Sequence, residues 1–360
     1  MLRIGNKLRL KDPKVSKWLP KENLSLSISQ ELELLRYQMI TAKEGKKELI
    51  EQEAELMDKF QKAQRNEIFQ QSKGNPVVIS TCLTAMKMTP STLKEFDLVC
   101  IDEAGFANDW LSIPLALSNI PRLILSGDHK QLPPISISNP LCSSLMERLI
   151  NQVPTVTLNQ QFRSNAKISE WSSQFFYDGK LTAHDSVAQI NLNDLIGTQD
   201  QVLDCPMLFL DTAGLQYYED KGDFDKSMCN FNEAYIVELI AKNYLRIGIS
   251  PKDIGVITPY WSQVSVLREM FKGIDLEIST VDSFQGKEKE LIIVSMVRSN
   301  PEKEVGFLAE IRRLNVTITR AKRCCVVVGD RNTLSNDVNV KRFIDFCHTN
   351  DIIYSVADFI

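Results

Sequence analysis

An apolar run that ends abruptly in two carboxylates stands at Leu98-Val99-Cys100-Ile101-Asp102-Glu103-Ala104-Gly105. A second run, Leu123-Ile124-Leu125-Ser126-Gly127-Asp128-His129-Lys130-Gln131-Leu132-Pro133-Pro134, ends in a glycine turn, an acid and a glutamine before two prolines. Such runs, when they alternate with helical stretches, predict a parallel sheet whose ligands lie at the carboxyl ends of the strands. The two runs therefore predict neighbouring strands of an α/β domain, with a polar site where they end.

The same texture of short β-branched runs recurs along the chain. A first set lies at 77–81, 98–102 and 123–128, and a second set follows at 207–211, 254–260, 278–282, 291–297 and 324–330. The chain has 360 residues, of which 43% are hydrophobic, and this is long enough for two cores. We therefore predict two α/β domains, at residues 1–150 and 151–360, that clamp a ligand in the cleft between them.

Residues 24–73 differ from the rest because they are rich in Glu, Lys and Gln. Their apolar residues recur at helical spacing in two sets separated by Gly45, namely Leu32, Leu35 and Met39, then Leu49, Leu56, Phe60 and Ala63. We predict a helical arm inserted in the first domain. Its simplest interpretation is a solvated amphipathic pair that packs on the neighbouring domain, and the alternative is a dedicated site for a protein partner.

Bulk composition excludes several classes of protein. The net charge is −4 and the pI is near 5.6, so nucleic acid can be bound only in a local groove and not by a global positive field. The eight cysteines form no Cys-x-x-Cys pair, which indicates buried thiols in a reducing compartment. No apolar run approaches the roughly 18 residues of a membrane span. We expect a protein of the cytoplasm and/or nucleus with no membrane contact.

The acids at the first strand end suit phosphoryl transfer. Asp102 could hold Mg²⁺ while Glu103 polarises the attacking water, since such hydrolysis needs positioning and charge neutralisation. An Asp-Glu pair in this position also occurs as a helix N-cap or a surface pair. Gln131 can donate one hydrogen bond and accept another, as a sensor between a γ-phosphate and its water requires.

Motifs in a fixed order resemble those of superfamily 1B helicases. Asp102-Glu103-Ala104-Gly105 is similar to motif II of that family and Gly127–Pro134 to motif III. Three further segments are similar to motifs IV, V and VI, namely 158–164, 280–288 and 312–321, and 254–260 with Gln263 resembles the family's Ile-x-Val-Ile-Thr-Pro-Tyr-x-x-Gln element. The resemblance spans the whole chain, and the segments 181–184, 297–300 and 306–310 narrow it to the Upf-like, immunoglobulin-mu-binding helicases.

This resemblance implies a fold and an activity. The fold would be α/β, with two tandem RecA-like domains of the P-loop NTPase type, the first incomplete and carrying the helical insertion. The activity would be that of an ATP-dependent helicase or translocase that uses ATP and Mg²⁺ and moves 5′ to 3′ on single-stranded RNA or DNA. We also expect a monomer. The motifs do not distinguish RNA from DNA, because their contacts are to backbone and sugar.

The resemblance also assigns roles to individual residues. Arg163 and Arg320 would reach the γ-phosphate, although an arginine in either position could instead form a surface ion pair. Glu288 would accept from the ribose hydroxyls, and Gly286 would let the backbone approach the nucleotide. The nucleic-acid strand would lie against six residues: Thr81, Thr258, Pro259, Tyr260, Thr280 and Ser283.

The sequence departs from the family pattern at several points. Phe106 stands where the family writes Gln in Asp-Glu-x-x-Gln, and Glu310 replaces an Asp. No stretch reads Gly-x-x-x-x-Gly-Lys-Ser/Thr, the loop that cradles phosphates, and in the family that loop precedes the segment similar to Leu2-Arg3-Ile4-Gly5. We therefore expect an N-terminally truncated sequence that is inactive as an ATPase by itself.

Three hypotheses remain open from the sequence. The first is an ATP-driven helicase, favoured because motifs II to VI, Phe106 apart, keep residues that nucleotide chemistry requires. The second is a degenerate helicase that holds RNA or DNA, or acts as a regulatory module, without turnover. The third is a regulatory or scaffold fragment that docks through the arm at 24–73.

Overall fold

The computed structural model describes residues 2–4, 24–41, 46–72, 75–88, 93, 96–134, 143–199, 202–222 and 227–358. The chain divides into two compact units. The first comprises Met1–His129 with Pro133–Pro154, and the second comprises Lys130–Leu132 with Thr155–Ile360. Parallel strands alternate with helices in both units, which confirms the α/β prediction. None of the helices in these ranges combines the length and hydrophobicity that a membrane crossing requires.

The first unit contains two pairs of parallel strands. Strand β1 (Leu2–Ile4) pairs with β2 (Val78–Ser80), and β3 (Val99–Ile101) pairs with β4 (Leu123–Leu125). Buried Met88, Leu93, Ile101, Ala104 and Leu115 form the core of this unit. Its helices are α1 (Leu24–Thr41), α2 (Lys46–Ser72), α3 (Cys82–Ala85), α4 (Asp109–Ala116) and α5 (Leu145–Leu149).

Helices α1 and α2 form the arm that the apolar spacing predicts. They lie between β1 and β2 in the chain and pack against each other, with Leu32 and Ala63 buried. The Arg36 Nε donates to Glu53 Oε1 at 2.6 Å across the pair. Other apolar side chains of α1, namely Leu34, Tyr37 and Ile40, are exposed.

The second unit is built on one six-stranded sheet in the order β11-β10-β12-β13-β7-β14, and every neighbouring pair in it is parallel. Its strands are β7 (Met207–Asp211), β10 (Ile254–Thr258), β11 (Glu277–Thr280), β12 (Lys289–Ser295), β13 (Ala321–Gly329) and β14 (Ile353–Ser355). Two short pairs lie outside the sheet, β5 (Gln160–Gln161) with β6 (Thr182–Ala183) and β8 (Asp220–Lys221) with β9 (Met228–Cys229).

Helices cover both faces of this sheet. On one face, Ala234, Val237 and Leu267 pack against strand residues such as Val256 and Ile293. On the other face, the Phe343 ring lies 5.0 Å from Trp171 and 6.3 Å from Phe209 of β7. The helices are α6 (Ala166–Phe176), α7 (Asp185–Ala188), α8 (Leu192–Ile196), α9 (Phe231–Ile247), α10 (Trp261–Met270), α11 (Val281–Phe284), α12 (Ile311–Ile318), α13 (Arg331–Leu334) and α14 (Val338–Thr349). Burial on both faces explains why these strands are continuously apolar.

Candidate functional site

The carboxyl ends of β3 and β4 are joined by a short hydrogen-bonded frame. The Ser126 amide donates to the Ile101 carbonyl at 2.9 Å, and the Ala104 amide donates to the Ser126 carbonyl at 2.8 Å. The Ser126 hydroxyl donates to Asp102 Oδ1 at 3.1 Å. The two loops therefore fix Asp102 at the end of β3, with its side chain exposed.

Glu103 follows, and its backbone has a positive φ that is uncommon for a residue other than glycine. Its φ is +53°, and its carbonyl accepts from the Phe106 amide at 3.0 Å and the Ala107 amide at 3.2 Å. Residues in the left-handed region persist only where the surrounding structure holds them, and they concentrate at functional sites. Glu103 is exposed at this turn.

Two glycines let the loops after β3 and β4 touch backbone to backbone. A Cβ on Gly105 would lie 2.6 Å from the Asp128 carbonyl oxygen, and one on Gly127 would lie 2.8 Å from the Ala104 amide nitrogen. Real Cβ atoms do not approach backbone so closely, so only glycine fits at these positions. The glycines of Asp-Glu-Ala-Gly and Ser-Gly-Asp thus hold the acidic loop against its neighbour.

Asp102 suits a magnesium ion that is completed by substrate and water. Among the described residues, no group of three or more His, Cys, Asp and Glu side chains is arranged to hold a metal by itself. Mg²⁺ is commonly bound by one or two carboxylates together with substrate phosphates and several waters. An exposed carboxylate beside the Ser126 hydroxyl fits that mode of binding.

In the second unit, Arg163 and Glu288 lie together although 125 residues separate them. Arg163 Nε donates to Glu288 Oε2 at 2.5 Å, and Lys322 Nζ lies 3.3 Å from Glu288 Oε1. The Gln161 side chain holds this loop because its Oε1 accepts from the amides of Arg163 and Ser164 at 2.7 and 2.8 Å. Burial raises the pKa of Glu288, but hydrogen bonds and charge from Arg163 and Lys322 outweigh it and leave that pKa below its usual value.

Arg320 is buried and donates to backbone carbonyls. The residue is 3% exposed, and its Nε donates to the Val316 carbonyl at 3.0 Å. Its two terminal nitrogens lie 3.4 Å from the Lys287 carbonyl and from Thr319 Oγ1. Arg320 is therefore almost fully buried, whereas Arg163 is more exposed and is ion-paired to Glu288. Gly286 and Glu288 are both exposed and lie in the loop just before β12.

The residues expected to contact nucleic acid in the second unit lie at or just after the carboxyl ends of β10 and β11. Thr258 and Thr280 are paired in register at the carboxyl ends of β10 and β11, and Thr280 Oγ1 donates to Ser283 Oγ at 3.1 Å. Ser283 is exposed, and Pro259 is half-buried. In the first unit, Thr81 is exposed and caps α3, because its hydroxyl accepts from the Thr84 amide at 3.2 Å.

The side chains of two of these residues are buried, which leaves their backbone groups for contact with nucleic acid. Thr258 is 0% exposed and its hydroxyl accepts from the Tyr260 amide at 3.4 Å. Tyr260 is 2% exposed, its hydroxyl lies 3.5 Å from Arg298, and burial raises its pKa. The sequence pattern located the strand end but not the direction of these side chains.

A buried polar network that joins α9, α10 and β12 was not predicted from the sequence. Glu233 Oε1 accepts from Ser295 Oγ at 2.6 Å and from the Val297 amide at 2.8 Å, while Gln263 Nε2 donates to the Asn230 carbonyl at 3.1 Å and to Ser295 Oγ at 2.9 Å. Burial raises the pKa of Glu233 to about 8, and its Oε2 has no hydrogen-bond partner among the described residues. Burial therefore favours the protonated form of Glu233 at neutral pH, and the network ties α9 and α10 to β12.

Next to this network lies a buried ion pair between Arg298 and Glu219, with Nε and Oε1 at 2.9 Å. The other oxygen of Glu219 accepts from the Ser299 amide at 2.5 Å. Val297 has φ +69°, and the Arg298 amide donates to the Met296 carbonyl at 2.8 Å, which is the geometry of a strained γ-turn. This turn aims Arg298 at the Tyr260 hydroxyl. In the sequence, the only signal for this turn and ion pair was the resemblance of segment 297–300 to the family.

Comparisons with known proteins agree with this architecture. A family profile described as an AAA domain matches residues 141–332, and a second profile of the same description matches residues 3–139. The chain is 41% identical over 262 residues to DNA-binding protein SMUBP-2 of Rattus norvegicus, covering 70% of this chain and 26% of that protein. It is 40% identical to DNA polymerase alpha-associated DNA helicase A of Schizosaccharomyces pombe, over 73% of this chain and 42% of that protein.

A more distant relative is the Regulator of nonsense transcripts 1 homolog of Neurospora crassa, which is 34% identical over 80% of this chain and 27% of its own length. The chain spans less than half the length of each of these relatives. The two α/β units, together with these profiles and relatives, place the chain in the class of ATP-dependent helicase domains. The chain belongs to the AAA-domain family of superfamily 1B, Upf-like helicases and is related to SMUBP-2.

Proposed function

We propose that the whole protein is an ATP-dependent helicase or translocase that moves 5′ to 3′ on single-stranded RNA or DNA. The observation that carries this proposal is the pair Asp102 and Glu103 at the end of β3, framed by Ser126 and held by Gly105 against the loop after β4. Two relatives are named as a DNA helicase and as an ATP-dependent helicase. The direction of movement rests on the family resemblance alone.

The acidic pair would supply the hydrolytic chemistry. Asp102 would hold Mg²⁺, which neutralises charge on the phosphates when it is bound. Glu103 would orient the attacking water and polarise it as a general base, a role that its exposed carboxylate at a sharply turned position supports. Gln131, which is half-buried in the turn after β4, would sense the γ-phosphate and its water through its amide.

Two arginines would act on the charge that develops at the γ-phosphate. Arg320 is anchored through Val316, so its guanidinium is held in place before the reaction and needs little reorganisation. Arg163 would exchange its ion pair with Glu288 for the phosphate. Glu288 would accept from the ribose, since a carboxylate has about four lone-pair sites and can keep its lysine contact. Gly286 would let the backbone approach the nucleotide.

Single-stranded nucleic acid would lie against strand ends that carry polar side chains. Thr81, Thr280 and Ser283 offer hydroxyls for phosphate or sugar, and Pro259 offers an apolar surface at the same edge. Thr258 and Tyr260 would contribute through their backbone and by fixing the loop, because their side chains are buried. Such contacts carry no base code and match a motor that moves along any sequence.

One observation favours a second function, a binding module without turnover. Phe106 replaces the glutamine of Asp-Glu-x-x-Gln, and its amide donates to the Glu103 carbonyl, so the loop keeps its shape without the side-chain amide. Coupling of hydrolysis to movement would then be weakened. We further propose that the protein is a monomer of the cytoplasm and/or nucleus. A protein partner would bind the exposed apolar side chains of α1, Leu34, Tyr37 and Ile40.

The proposal is tested by Glu103→Gln in the full-length natural protein. The substitution keeps the shape of the side chain but removes the base, so we expect ATP affinity near wild type and turnover reduced by at least about 100-fold. The control is Asp97→Asn, an exposed carboxylate just before the same strand β3, which should hydrolyse ATP normally. Normal steady-state turnover by Glu103→Gln would refute the catalytic role. Oligonucleotide binding with no turnover in wild type would favour the binding module.

A further inference from the structure

An exposed aromatic side chain follows the Thr-Pro-Tyr segment, and none of the motifs explains it. Trp261 is the first residue of α10 and remains 51% exposed. Together with Ser283 it lines a groove of about 460 Å³ that runs beside β11. Ser283 is one of the residues proposed to contact nucleic acid, so the groove continues from that edge of the sheet.

Arg268 holds the Trp261 ring in place. The two residues are seven apart on α10 and share a face of that helix. The Arg268 guanidinium carbon lies 5.5 Å from the ring centroid, and its Nε and a terminal nitrogen donate to the Ile278 carbonyl at 3.2 and 2.8 Å. The guanidinium is therefore fixed by β11 and packs against the indole, while half of the indole surface stays open to solvent.

The groove is positively charged although the chain is acidic. Four basic residues line it, Lys252, Arg268, Lys287 and Lys289, against two acids, Asp275 and Glu277. The chain as a whole carries −4. Glu277 is neutralised by Lys287 at 2.5 Å and Lys289 at 3.4 Å, and the hydrogen bond from Lys287 is the main reason that its pKa is lowered. A polyanion would meet a net positive surface here.

We propose that Trp261 is a stacking platform for a base of single-stranded nucleic acid whose backbone passes Thr280 and Ser283. The inference rests on the proposed function and adds a binding residue to it. Single-stranded nucleic acid is held by a basic groove with aromatic rings on which bases stack, and this groove has both features. Arg268 stiffens the platform from one side.

A peptide strand is a poorer occupant of the same groove. β11 is an edge strand of the described sheet, and a peptide that extended the sheet would hydrogen-bond to its carbonyls. The Ile278 carbonyl is already occupied by two donors of Arg268. The groove therefore offers a nucleobase an aromatic surface but does not offer a peptide a free edge at this position.

The test measures the affinity of the full chain for fluorescein-labelled oligo(dT) and oligo(U) of about 12 nucleotides. Trp261→Ala should weaken binding by about 5- to 100-fold, as lost base stacking does, and Trp261→Phe should recover part of that loss. The salt dependence of binding should stay the same, because no phosphate contact is removed. The control is Tyr235→Ala, which removes an equally exposed aromatic side chain from α9, and its affinity should equal that of wild type.

An abasic oligomer of the same length separates stacking from charge. Wild type and Trp261→Ala should bind it equally, since it offers phosphates but no bases. If Trp261→Ala binds oligo(dT) and oligo(U) as wild type does, or loses affinity equally for the abasic oligomer, the stacking role is refuted while the proposed function stands. If wild type binds none of these oligomers, the nucleic-acid function of this edge fails as well. Polyglutamate is a competitor that carries charge but no bases. If it displaces the oligomers from wild type and from Trp261→Ala equally well, the groove is a general anion site and the inference is refuted.

Discussion

At the scale of single residues, the fold treats the proposed catalytic groups in two different ways. Arg320 is nearly inaccessible and is anchored through Val316, so its position is set by packing. Asp102 and Glu103 are exposed and are positioned through backbone hydrogen bonds of the loops that carry them. Substitution of the arginine and substitution of the acids therefore test different things, the stabilisation of transition-state charge and the activation of water.

We predict that Arg320→Ala in the full-length protein lowers ATP turnover by about 10³-fold or more, the effect of losing an arginine that stabilises transition-state charge. The control is Arg323→Ala, three residues further on, which removes ion pairs with Glu290 at 2.8 Å and Asp194 at 3.1 Å. That control should stay within about twofold of wild type, because partly exposed ion pairs contribute little. Turnover of Arg320→Ala within twofold of wild type would contradict the assignment.

A second prediction concerns the protonated Glu233. Its folded-state pKa of about 8 lies above the ordinary value of 4.5, so the unfolded chain releases a proton that the folded chain keeps. The stability that this proton contributes is complete below pH 4.5 and is lost as the pH rises toward 8. Glu233→Gln cannot ionise, so its free energy of unfolding should lack that decline.

Urea unfolding at several pH values from 5 to 8.5 measures the difference between wild type and Glu233→Gln. That difference should fall with increasing pH, by at most about 1.4 kcal/mol per pH unit. Glu238→Gln is the control, because this carboxylate is on the same helix α9 and pairs with Lys242 at 2.7 Å. A difference for Glu233→Gln that does not change with pH would show that the buried acid is ionised in the folded state.

At the scale of elements, the site depends on two loops that are pressed together. The loops after β3 and β4 meet where Gly105 approaches the Asp128 carbonyl and Gly127 approaches the Ala104 amide. Strands and helices only bring the loops near each other. The glycines determine how closely they meet, and this contact fixes the acids relative to the loop that leads to Gln131.

We predict that Gly105→Ala destabilises the first unit by about 1–3 kcal/mol, the usual cost of forcing a carbon into a packed region. ATP turnover should fall as well, because the Asp102 loop must move away from the Asp128 carbonyl. Gly214→Ala is the comparison, since a Cβ there meets nothing within 4 Å and only its φ of +85° opposes the change. Its cost should be about 1 kcal/mol with turnover unchanged. Unaltered stability and turnover of Gly105→Ala would contradict the packing argument.

Several strands end earlier in the structure than their sequence runs predict. The run 278–282 predicts a strand through Asp282, but β11 ends at Thr280 and Val281 begins a helical turn. The runs 98–102 and 123–128 likewise extend past Ile101 and Leu125, where the chain turns toward the site. An apolar run identifies the buried part of a strand, whereas its last polar residues belong to the loop that carries function.

At the scale of the whole molecule, the chain between the two units is accessible to proteases. Residues 151–160 are exposed throughout, and this segment contains the apolar side chains of Val153, Val156 and Leu158. The residues that follow carry a complete six-stranded sheet with helices on both faces. Its large apolar core gives the second unit what an independently folded domain requires.

We predict that thermolysin, which cleaves before bulky apolar residues, cuts the native chain before Val156 or Leu158. A fragment from that point to the C-terminus should persist, while the first unit, with its smaller core, is degraded further. N-terminal sequencing and mass spectrometry of the fragment identify the site of the cut. A resistant N-terminal fragment, or a first cut inside β7 to β13, would contradict this order of stability.

The sequence by itself determined the α/β class, the helical arm and the motifs that assign the chain to its family. These follow from periodicity and from residue types at fixed spacing, which are local properties of a chain. Tertiary structure alone decided that Arg163 meets Glu288 and that Arg320 is buried. It also decided that Thr258 and Tyr260 face inward, that Glu233 keeps its proton and that Trp261 stands over a basic groove. Those features depend on which distant segments exclude water from one another, and no local pattern encodes that.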